Sequence, residues 1–391
     1  MNRNLRVATI ICLLIGLTVS PLFAGAGQEE AAAKEPIKVG AILAVTGGAS
    51  FLGGPESKTL EMLVEETNAA GGIAGHPVEL IIKDSQASAE KAISFARQLI
   101  EEEQVLAIIG PSTSGESMAI KDICQEAQTI LLSCAAAETI VNPVASYVFK
   151  TPQKDSYAAI WIFQTMQKMG ISKIGVVVGN TGFGNGGKAQ LEKYAPEYGI
   201  DIAIAEVYDG AATDLTGVLT KLKARGVEAV VNWSIVPAQS IVAKNMRQLG
   251  MDVPLFQSHG FGNIKYVEAA GAAAEGIIFP CGRLLVADVL AAGHPQKDLL
   301  VKYRSDYESR YNEDVSTFGG HAYDALIILK AAIEKAGGVE MSSVRDAIES
   351  LQGVVGTAGV FNMSPSDHNG LGLDSFEMLT VKDGKFVVLE Q

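Results

Sequence analysis

The 391-residue sequence is poor in cysteine, histidine and tryptophan, with 4, 5 and 2 residues of each type. Its histidines stand in no H-E-x-x-H or other metal-binding spacing, and no G-x-S-x-G nucleophile motif occurs. Cys134 follows a predicted strand, but no histidine partner for a thiol nucleophile can be identified. We therefore expect a protein that is not an enzyme and that needs neither a metal nor a cofactor.

An excess of positive charge is also missing, because 44 acidic residues outnumber 31 basic ones and give a net charge of −13. Proteins that bind nucleic acid or anionic membranes usually present a basic surface. We therefore expect neither partner. The global charge says little about a small ligand, since the local field of a cleft can have the opposite sign.

Long apolar runs are confined to the N-terminus, where Arg3 and Arg6 precede an almost unbroken apolar stretch over 7–17. Small residues follow this stretch, and the order predicts a cleaved secretory signal peptide over 1–26, with a flexible leader over 27–36. The stretch is shorter than the about 20 residues of a membrane span, although an uncleaved anchor is the alternative. The sequence thus predicts a periplasmic or other extracytoplasmic protein.

Cleavage would remove Cys12 and leave an odd number of cysteines: Cys124, Cys134 and Cys281. At least one thiol of an exported chain would then be free. Buried apolar packing is the simplest interpretation of all three, and a bridge between Cys124 and Cys134 is the alternative.

Strand and helix patterns alternate along the rest of the chain. Two series of strand-length apolar runs are present, the first beginning at Ile37, Val78, Val105 and Ile130, and the second near Lys173, Asp201, Glu228 and Val253. Helical patterns separate the runs, one of them from Pro55 to Ala70. This alternation predicts βαβ units, and hence an α/β protein with two doubly wound, Rossmann-like parallel-sheet lobes.

A helical block over about 295–351 follows the second series, so we expect the chain to return to the first lobe. The predicted lobes are 37–153 with 286–355, and 154–285 with 356–391. Three crossings between them would form a hinge beside a cleft.

A glycine-rich loop from Gly182 to Gly187 matches the dinucleotide-binding pattern G-x-G-x-x-G. Glu206 or Asp209 could supply the acidic residue that NAD-binding folds place about 20 residues later, so an NAD-linked enzyme is a competing hypothesis. The loop lies in the fifth strand–helix unit rather than the first, and Ala189 stands where a phosphate loop has Ser or Thr. The alternative is a turn that lets the backbone approach a ligand or the other lobe.

Ligands of open parallel sheets bind beyond the carboxyl ends of the strands, where helix N-termini offer unpaired N–H groups to anions. The segment 112–115 (STSG) opens a helix after the third strand and is the best candidate to receive a carboxylate. Simple N-capping of that helix is the alternative role of its hydroxyls.

From Ile37 to the C-terminus, stretches such as IKVGAILAVTGGASFLG, IIGPSTSGESMAI and GNTGFGNGGKAQLEKYAPEYGI resemble the periplasmic solute-binding proteins of ABC importers. The similarity is to the branched-chain amino acid (Leu/Ile/Val) binding family, with its type I periplasmic-binding fold. It implies a monomeric transport protein that captures a small molecule by hinge closure and delivers it to ABC permease subunits. A ligand sensor with the same fold is the other hypothesis.

The resemblance also implies site residues. The ligand carboxylate would be held by Thr113 and Ser114 and by the segment Ala135, Ala136 and Ala137, and the aromatic of the glycine-rich loop would be Phe183. Other candidates within reach of the cleft are Trp233, Phe51 and Thr46, for which core packing or turn formation is the alternative.

Amino-acid binders of the family pair the ligand ammonium with an acidic residue, but His259 stands at that position. A buried, unpaired ammonium costs several kcal/mol. We therefore expect a carboxylate ligand with an apolar or aromatic body that lacks an α-amino group, as an alternative to an amino acid. Asp155 is the remaining candidate for an ammonium partner, unless it only caps the helix that follows.

Overall fold

The computed structural model describes residues 34–390, so the predicted signal peptide, most of the leader and Cys12 lie outside the described residues. The N-terminal part alternates strands and helices as the apolar runs predict. Strands β1 to β5 are Ile37–Leu43, Val78–Asp84, Ala107–Ile109, Ile130–Ser133 and Val148–Lys150. Helices α1 to α3 are Ser50–Ala69, Ala89–Glu101 and Ser114–Glu126. The five strands form one parallel sheet in the order β2-β1-β3-β4-β5.

A second alternating series follows the first sheet. Its helices α4 to α8 are Asp155–Lys168, Gly182–Tyr194, Thr216–Ala224, Gln239–Gln248 and Ile264–Ala270. Its strands β6 to β10 are Lys173–Gly179, Asp201–Tyr208, Ala229–Trp233, Leu255–Gln257 and Ile278–Cys281. These strands pair in parallel in the order β10-β9-β8-β6-β7.

The C-terminal part is shared between the two sheets. Helices α9 to α11 are Lys297–Tyr311, Thr317–Ala336 and Met341–Glu349. Strands β11 to β14 are Val354–Val355, Val360–Phe361, Glu377–Lys382 and Lys385–Val388. The pair β13 and β14 adds antiparallel strands to the edge of the second sheet beside β10. Helix α10 packs along α1, so the chain does return to the first lobe.

Buried apolar side chains form separate cores for the two lobes. One cluster joins the first sheet to α1, α10 and α11, and another fills its opposite face under α2 and α3. A third cluster surrounds the second sheet. The α/β fold with two doubly wound lobes and a multiple-crossing hinge is therefore confirmed. The predicted lobe boundaries stay a prediction, to which the packing adds that Phe361, Met363 and Leu371 belong to the first-lobe cluster.

Polar side chains brace the segments that pass between the lobes. Gln153 Nε2 donates to the carbonyls of Ala358, at 2.9 Å, and Ser375, at 3.4 Å, and so ties the first crossing to the last. The buried carboxylate of Asp324 on α10 accepts bonds from the N–H groups of Thr357, at 2.5 Å, and Ala358, at 2.8 Å, and from the Thr357 hydroxyl, at 3.0 Å. Burial raises the pKa of Asp324 to about 7.

Helix α1 begins five residues earlier than the predicted start at Pro55. A proline inside a helix lacks the N–H that would donate to the carbonyl four residues before it, here that of Phe51. In this chain the Phe51 carbonyl accepts a bond from Asn263 Nδ2 of the second lobe, at 2.9 Å. The proline is therefore tolerated because the free carbonyl is satisfied by a contact between the lobes.

Cys124, Cys134 and Cys281 are buried, free thiols, so the alternative of a Cys124–Cys134 bridge is wrong. Burial raises the pKa of all three.

Within residues 34–390, no helix is both long and apolar enough to span a bilayer. In the same range no group of three or more His, Cys, Asp or Glu side chains is placed to hold a metal ion.

Candidate ligand-binding site

Two neighbouring cavities lie between the lobes, and we call them the inner and the outer cavity. The inner cavity has a volume of about 20 Å³ and is lined by Leu52, Ser112, Ser114, Cys134, Ala135, Ala136, Pro152, Phe183, Ile235, His259, Gly260, Phe318 and His321. The outer cavity is much larger, about 880 Å³, and the first residues of α3 and α5 form part of its lining. Three residues, Ser114, Phe183 and Ile235, line both cavities.

The first-lobe wall is built around the N-terminus of α3. Thr113 is the N-cap of this helix. Its hydroxyl oxygen accepts a hydrogen bond from the N–H of Glu116 at 3.4 Å, and its hydroxyl group donates one to the Glu116 carboxylate at 2.6 Å. Thr113 lines only the outer cavity. Ser114 Oγ accepts from the N–H of Ala137 at 3.2 Å, which leaves its hydroxyl proton available. Ser114 is therefore better placed than Thr113 to donate to a bound anion.

The turn after β4 supplies backbone groups beside Ser114. The N–H of Ala135 donates to Ser133 Oγ at 3.1 Å, and that of Ala137 donates to Ser114. For the N–H of Ala136, which lies between them, the described part of the chain offers no hydrogen-bond partner. Ala135 and Ala136 line the inner cavity, whereas Ala137 is buried behind it.

The second-lobe wall is aromatic. The His259 ring lies 5.3 Å from the ring of Phe183, 5.6 Å from that of Trp233 and 5.6 Å from that of Phe376, centroid to centroid. Trp233 is fully buried behind Phe183 and His259 and lines neither cavity. The predicted candidates Phe183, His259 and Trp233 are thus brought together, with Phe183 and His259 forming the surface toward the cavities.

Asp155 lies directly behind His259, with 3.5 Å between Asp155 Oδ1 and His259 Nε2. Both side chains are buried, and within residues 34–390 neither the carboxylate oxygens nor the ring nitrogens have a hydrogen-bond partner. The interpretation of Asp155 as an N-cap is wrong, because α4 begins at Asp155 itself and Lys154 occupies the cap position. Asp155 lines neither cavity, whereas its neighbour His259 lines the inner one.

Two functional candidates were missed by the sequence analysis: Lys150, at the end of β5, and His321, on α10. The ammonium of Lys150 is buried and donates to the carbonyls of Pro152, at 2.7 Å, and Gln153, at 3.0 Å. Burial lowers the pKa of Lys150 to about 8, so it is still charged at neutral pH. No motif marks either residue, since they are distant in sequence and meet only in the folded hinge.

Both histidines of the inner cavity are neutral. Burial, reinforced by the positive charge of Lys150, holds the pKa of His259 well below its usual range. The same two causes lower the pKa of His321 to about 3. Burial raises the pKa of Asp155 well above its usual value, and Lys150 opposes that shift. The residues that line the inner cavity include no carboxylate.

Besides Trp233, Asp155 and Ala137, two more predicted site residues line neither cavity. Phe51 packs edge-to-face on Tyr266, with 5.2 Å between the ring centroids, at the contact between the lobes. The hydroxyl of Thr46 donates to Asp84 at 2.6 Å. Neither Phe51 nor Thr46 lines a cavity in this arrangement of the lobes, and a role for them in binding stays a prediction.

The glycine-rich loop is explained by close packing. A Cβ on Gly184 would lie 1.9 Å from the Gly179 carbonyl oxygen, and one on Gly187 would lie 2.1 Å from Trp233 Nε1. A Cβ on Gly182 would lie 2.9 Å from the backbone nitrogen of Gly115 in the first lobe. These glycines therefore let α5 approach its own sheet, the aromatic wall and the opposite lobe.

Comparison with known proteins gives a consistent picture. The family model described as "Periplasmic binding protein" matches residues 36–385. A Brucella melitensis protein named "Leu/Ile/Val-binding protein homolog 3" is 26% identical over 381 residues, which cover 96% of this chain and 99% of that protein.

Solved structures share the fold over nearly the whole described chain. An extracellular ligand-binding receptor from Rhodopseudomonas palustris HaA2 has a TM-score of 0.85 and 28% identity, covering 91% of this chain and 100% of the receptor. The substrate-binding protein LivJ of a Streptococcus pneumoniae branched-chain amino acid transporter, solved with isoleucine, has a TM-score of 0.80 and 25% identity. The match covers 90% of this chain and 97% of LivJ.

Proposed function

Because the chain belongs to the periplasmic binding protein family, whose members bind substrates outside the cytoplasm and are not enzymes, we propose that it is the solute-binding component of an ABC uptake system. Its ligand is a small organic carboxylate with an apolar or aromatic body and no α-ammonium group. The lobes close around the ligand, and the closed form is presented to permease subunits in the membrane. The proposal includes export of the chain and removal of the segment 1–26 as a signal peptide.

The carboxylate seat follows from the first-lobe wall. Ser114 can donate its hydroxyl proton, and neither its own N–H nor that of Ala136 has a hydrogen-bond partner among the described residues. Unpaired N–H groups and the positive end of the helix dipole favour an anion. The charged ammonium of Lys150 adds a positive field at the hinge side of the inner cavity.

The lining of the inner cavity contains no carboxylate, and this is the observation that favours a ligand without an α-ammonium group. An α-ammonium enclosed there would meet neutral His259 and His321 and the nearby positive charge of Lys150. A buried charge that lacks a partner costs several kcal/mol. The names of the relatives point to branched-chain amino acids, whereas the charges of this site favour their deaminated counterparts.

Matched ligand pairs test this choice. We would measure dissociation constants by calorimetry for leucine and for phenylalanine, each against the acid that lacks only the α-amino group. We expect the deaminated acids to bind and the amino acids to bind at least about tenfold more weakly. Tighter binding of leucine or phenylalanine than of its deaminated partner would refute the proposed ligand class.

A serine variant tests the carboxylate seat. Loss of a hydrogen bond to a charged group costs about 1.5–3 kcal/mol, so Ser114→Ala should weaken binding of the acids by about 10- to 150-fold. Ser305→Ala, at an exposed position on α9, is the matched control and should leave the dissociation constant unchanged. Equal affinities of wild type and Ser114→Ala would place the carboxylate elsewhere.

A further inference from the structure

The outer cavity offers far more room than the seat beside Ser114 needs. The inner cavity, at about 20 Å³, holds little more than one water-sized group, since a single water molecule needs about 10–15 Å³. The outer cavity, at about 880 Å³, falls within the range of about 300–1,000 Å³ that is typical of small-molecule sites. With the lobes in this arrangement, the body of a ligand therefore fits only in the outer cavity.

The two cavities are neighbours at Ser114, the proposed contact of the ligand carboxylate. Ser114, Phe183 and Ile235 belong to the lining of both, so a group bound to Ser114 borders the outer cavity directly. Phe183 is only 2% exposed, and it presents an apolar face at this junction. The rest of a ligand held by its carboxylate at Ser114 would therefore lie in the outer cavity, beside Phe183.

The walls of the outer cavity suit an apolar chain. Both lobes contribute alanine side chains, among them Ala49 and Ala89 from the first lobe and Ala211 and Ala212 from the second. Its charged lining residues are Glu116 and Lys244; the Glu116 carboxylate is bonded to the Thr113 hydroxyl, and Lys244 is exposed to solvent. Small apolar side chains leave a wide space, and burying a hydrocarbon chain there would make binding more favourable.

We propose that the outer cavity is a binding site for an extended hydrocarbon tail, so that the ligand is a monocarboxylate with an unbranched acyl or arylalkyl chain longer than an amino-acid side chain. The inference rests on the proposed function, because it takes the carboxylate to be held at Ser114. The head group lies between the N-terminus of α3 and the turn after β4, and the tail runs between the lobes toward solvent.

A homologous series tests the tail site. Dissociation constants of the full mature protein would be measured by calorimetry for unbranched monocarboxylates from butanoate to dodecanoate, each kept below its micelle concentration. Burial of each added CH₂ should lower the dissociation constant about fourfold until the cavity is filled. Equal affinity along a series that does bind would overturn the tail site but leave the proposed function standing, whereas no binding by any carboxylate would refute the proposed function itself.

A variant that narrows the outer cavity gives an independent test. Ala89→Leu combined with Ala211→Leu adds bulk from both lobes at exposed positions, so folding should be unaffected. We expect decanoate to bind about tenfold or more weakly, with butanoate changed less than twofold. Ala292→Leu, in an exposed turn outside both cavities, is the control. An equal loss for both ligands, or no loss for decanoate, would contradict a tail site here.

Discussion

Closure of the lobes can be tested at one glycine pair. Gly182, the first residue of α5, and Gly115, in the first turn of α3, approach each other across the cleft. A Cβ on Gly182 would lie 2.9 Å from Gly115 N, 3.1 Å from Gly115 Cα and 3.4 Å from the Ser114 carbonyl carbon. The obstructing atoms are backbone, so Gly182→Ala can be accommodated only if the two lobes move apart.

The substitution Gly182→Ala should destabilise the closed arrangement of the lobes and not the open one. Inserting a methyl group into a close-packed contact costs about 1–3 kcal/mol, which corresponds to about a 5- to 150-fold weaker ligand. In separated lobes the same methyl group meets no obstacle, and alanine is a better helix former than glycine. We therefore expect the melting temperature of the ligand-free protein to stay the same or rise slightly while the dissociation constant increases.

The control is the opposite glycine. A Cβ on Gly115 would have no heavy atom within 4 Å outside its own chain neighbours and helix backbone, so Gly115→Ala should bind ligand normally. Calorimetric titration gives the dissociation constant of each variant, and calorimetric melting without ligand reports stability. Equal weakening by both substitutions, or normal binding by Gly182→Ala, would show that closure does not bring α5 against α3 in this way.

Two further substitutions test the buried polar groups of the hinge. The pKa of His321 is lowered from 6.5 to about 3, so below pH 6.5 the unfolded chain binds a proton that the folded chain does not, and stability falls as the pH falls. Between about pH 7.5 and about pH 5, wild type should lose about 2 kcal/mol more unfolding free energy than His321→Gln in urea titrations, and equal losses would contradict the assignment. Asp324→Ala leaves the N–H groups of Thr357 and Ala358 buried without their acceptor and should cost about 2–4 kcal/mol. Asp324→Asn retains a carbonyl acceptor and should cost less; a similar loss for both variants in urea unfolding would argue against the hydrogen bonds as the cause.

The fold was predictable because its signal is local. Buried parallel strands are continuous apolar runs, and the amphipathic helices between them have a different period, so the alternation is visible in the sequence alone. The start of α1 was not predictable in the same way. Pro55 indicates a helix start by local rules, but the Asn263 side chain that compensates for it lies more than 200 residues away.

The site was predictable only in part, for the same reason. Five predicted residues lie just beyond the carboxyl ends of strands, where ligands of parallel sheets bind, and all five line the inner cavity: Ser114, Ala135, Ala136, Phe183 and His259. Lys150 and His321 lie at the hinge, where three segments of the chain come together. No local sequence pattern predicts that these two residues are close. The positive charge of Lys150 reinforces the effect of burial on the pKa of His259, and so contributes to keeping the ring neutral.

The order of segments along the chain also has a consequence for biosynthesis. Each core includes side chains from late in the sequence. The first core includes Leu326 and Leu371, and the second includes Phe376 and Leu379. A ribosome must therefore complete nearly the whole polypeptide before either core can be sealed. A truncation that removes only β13 and β14 would deprive the second core of Met378, Leu379 and Val381.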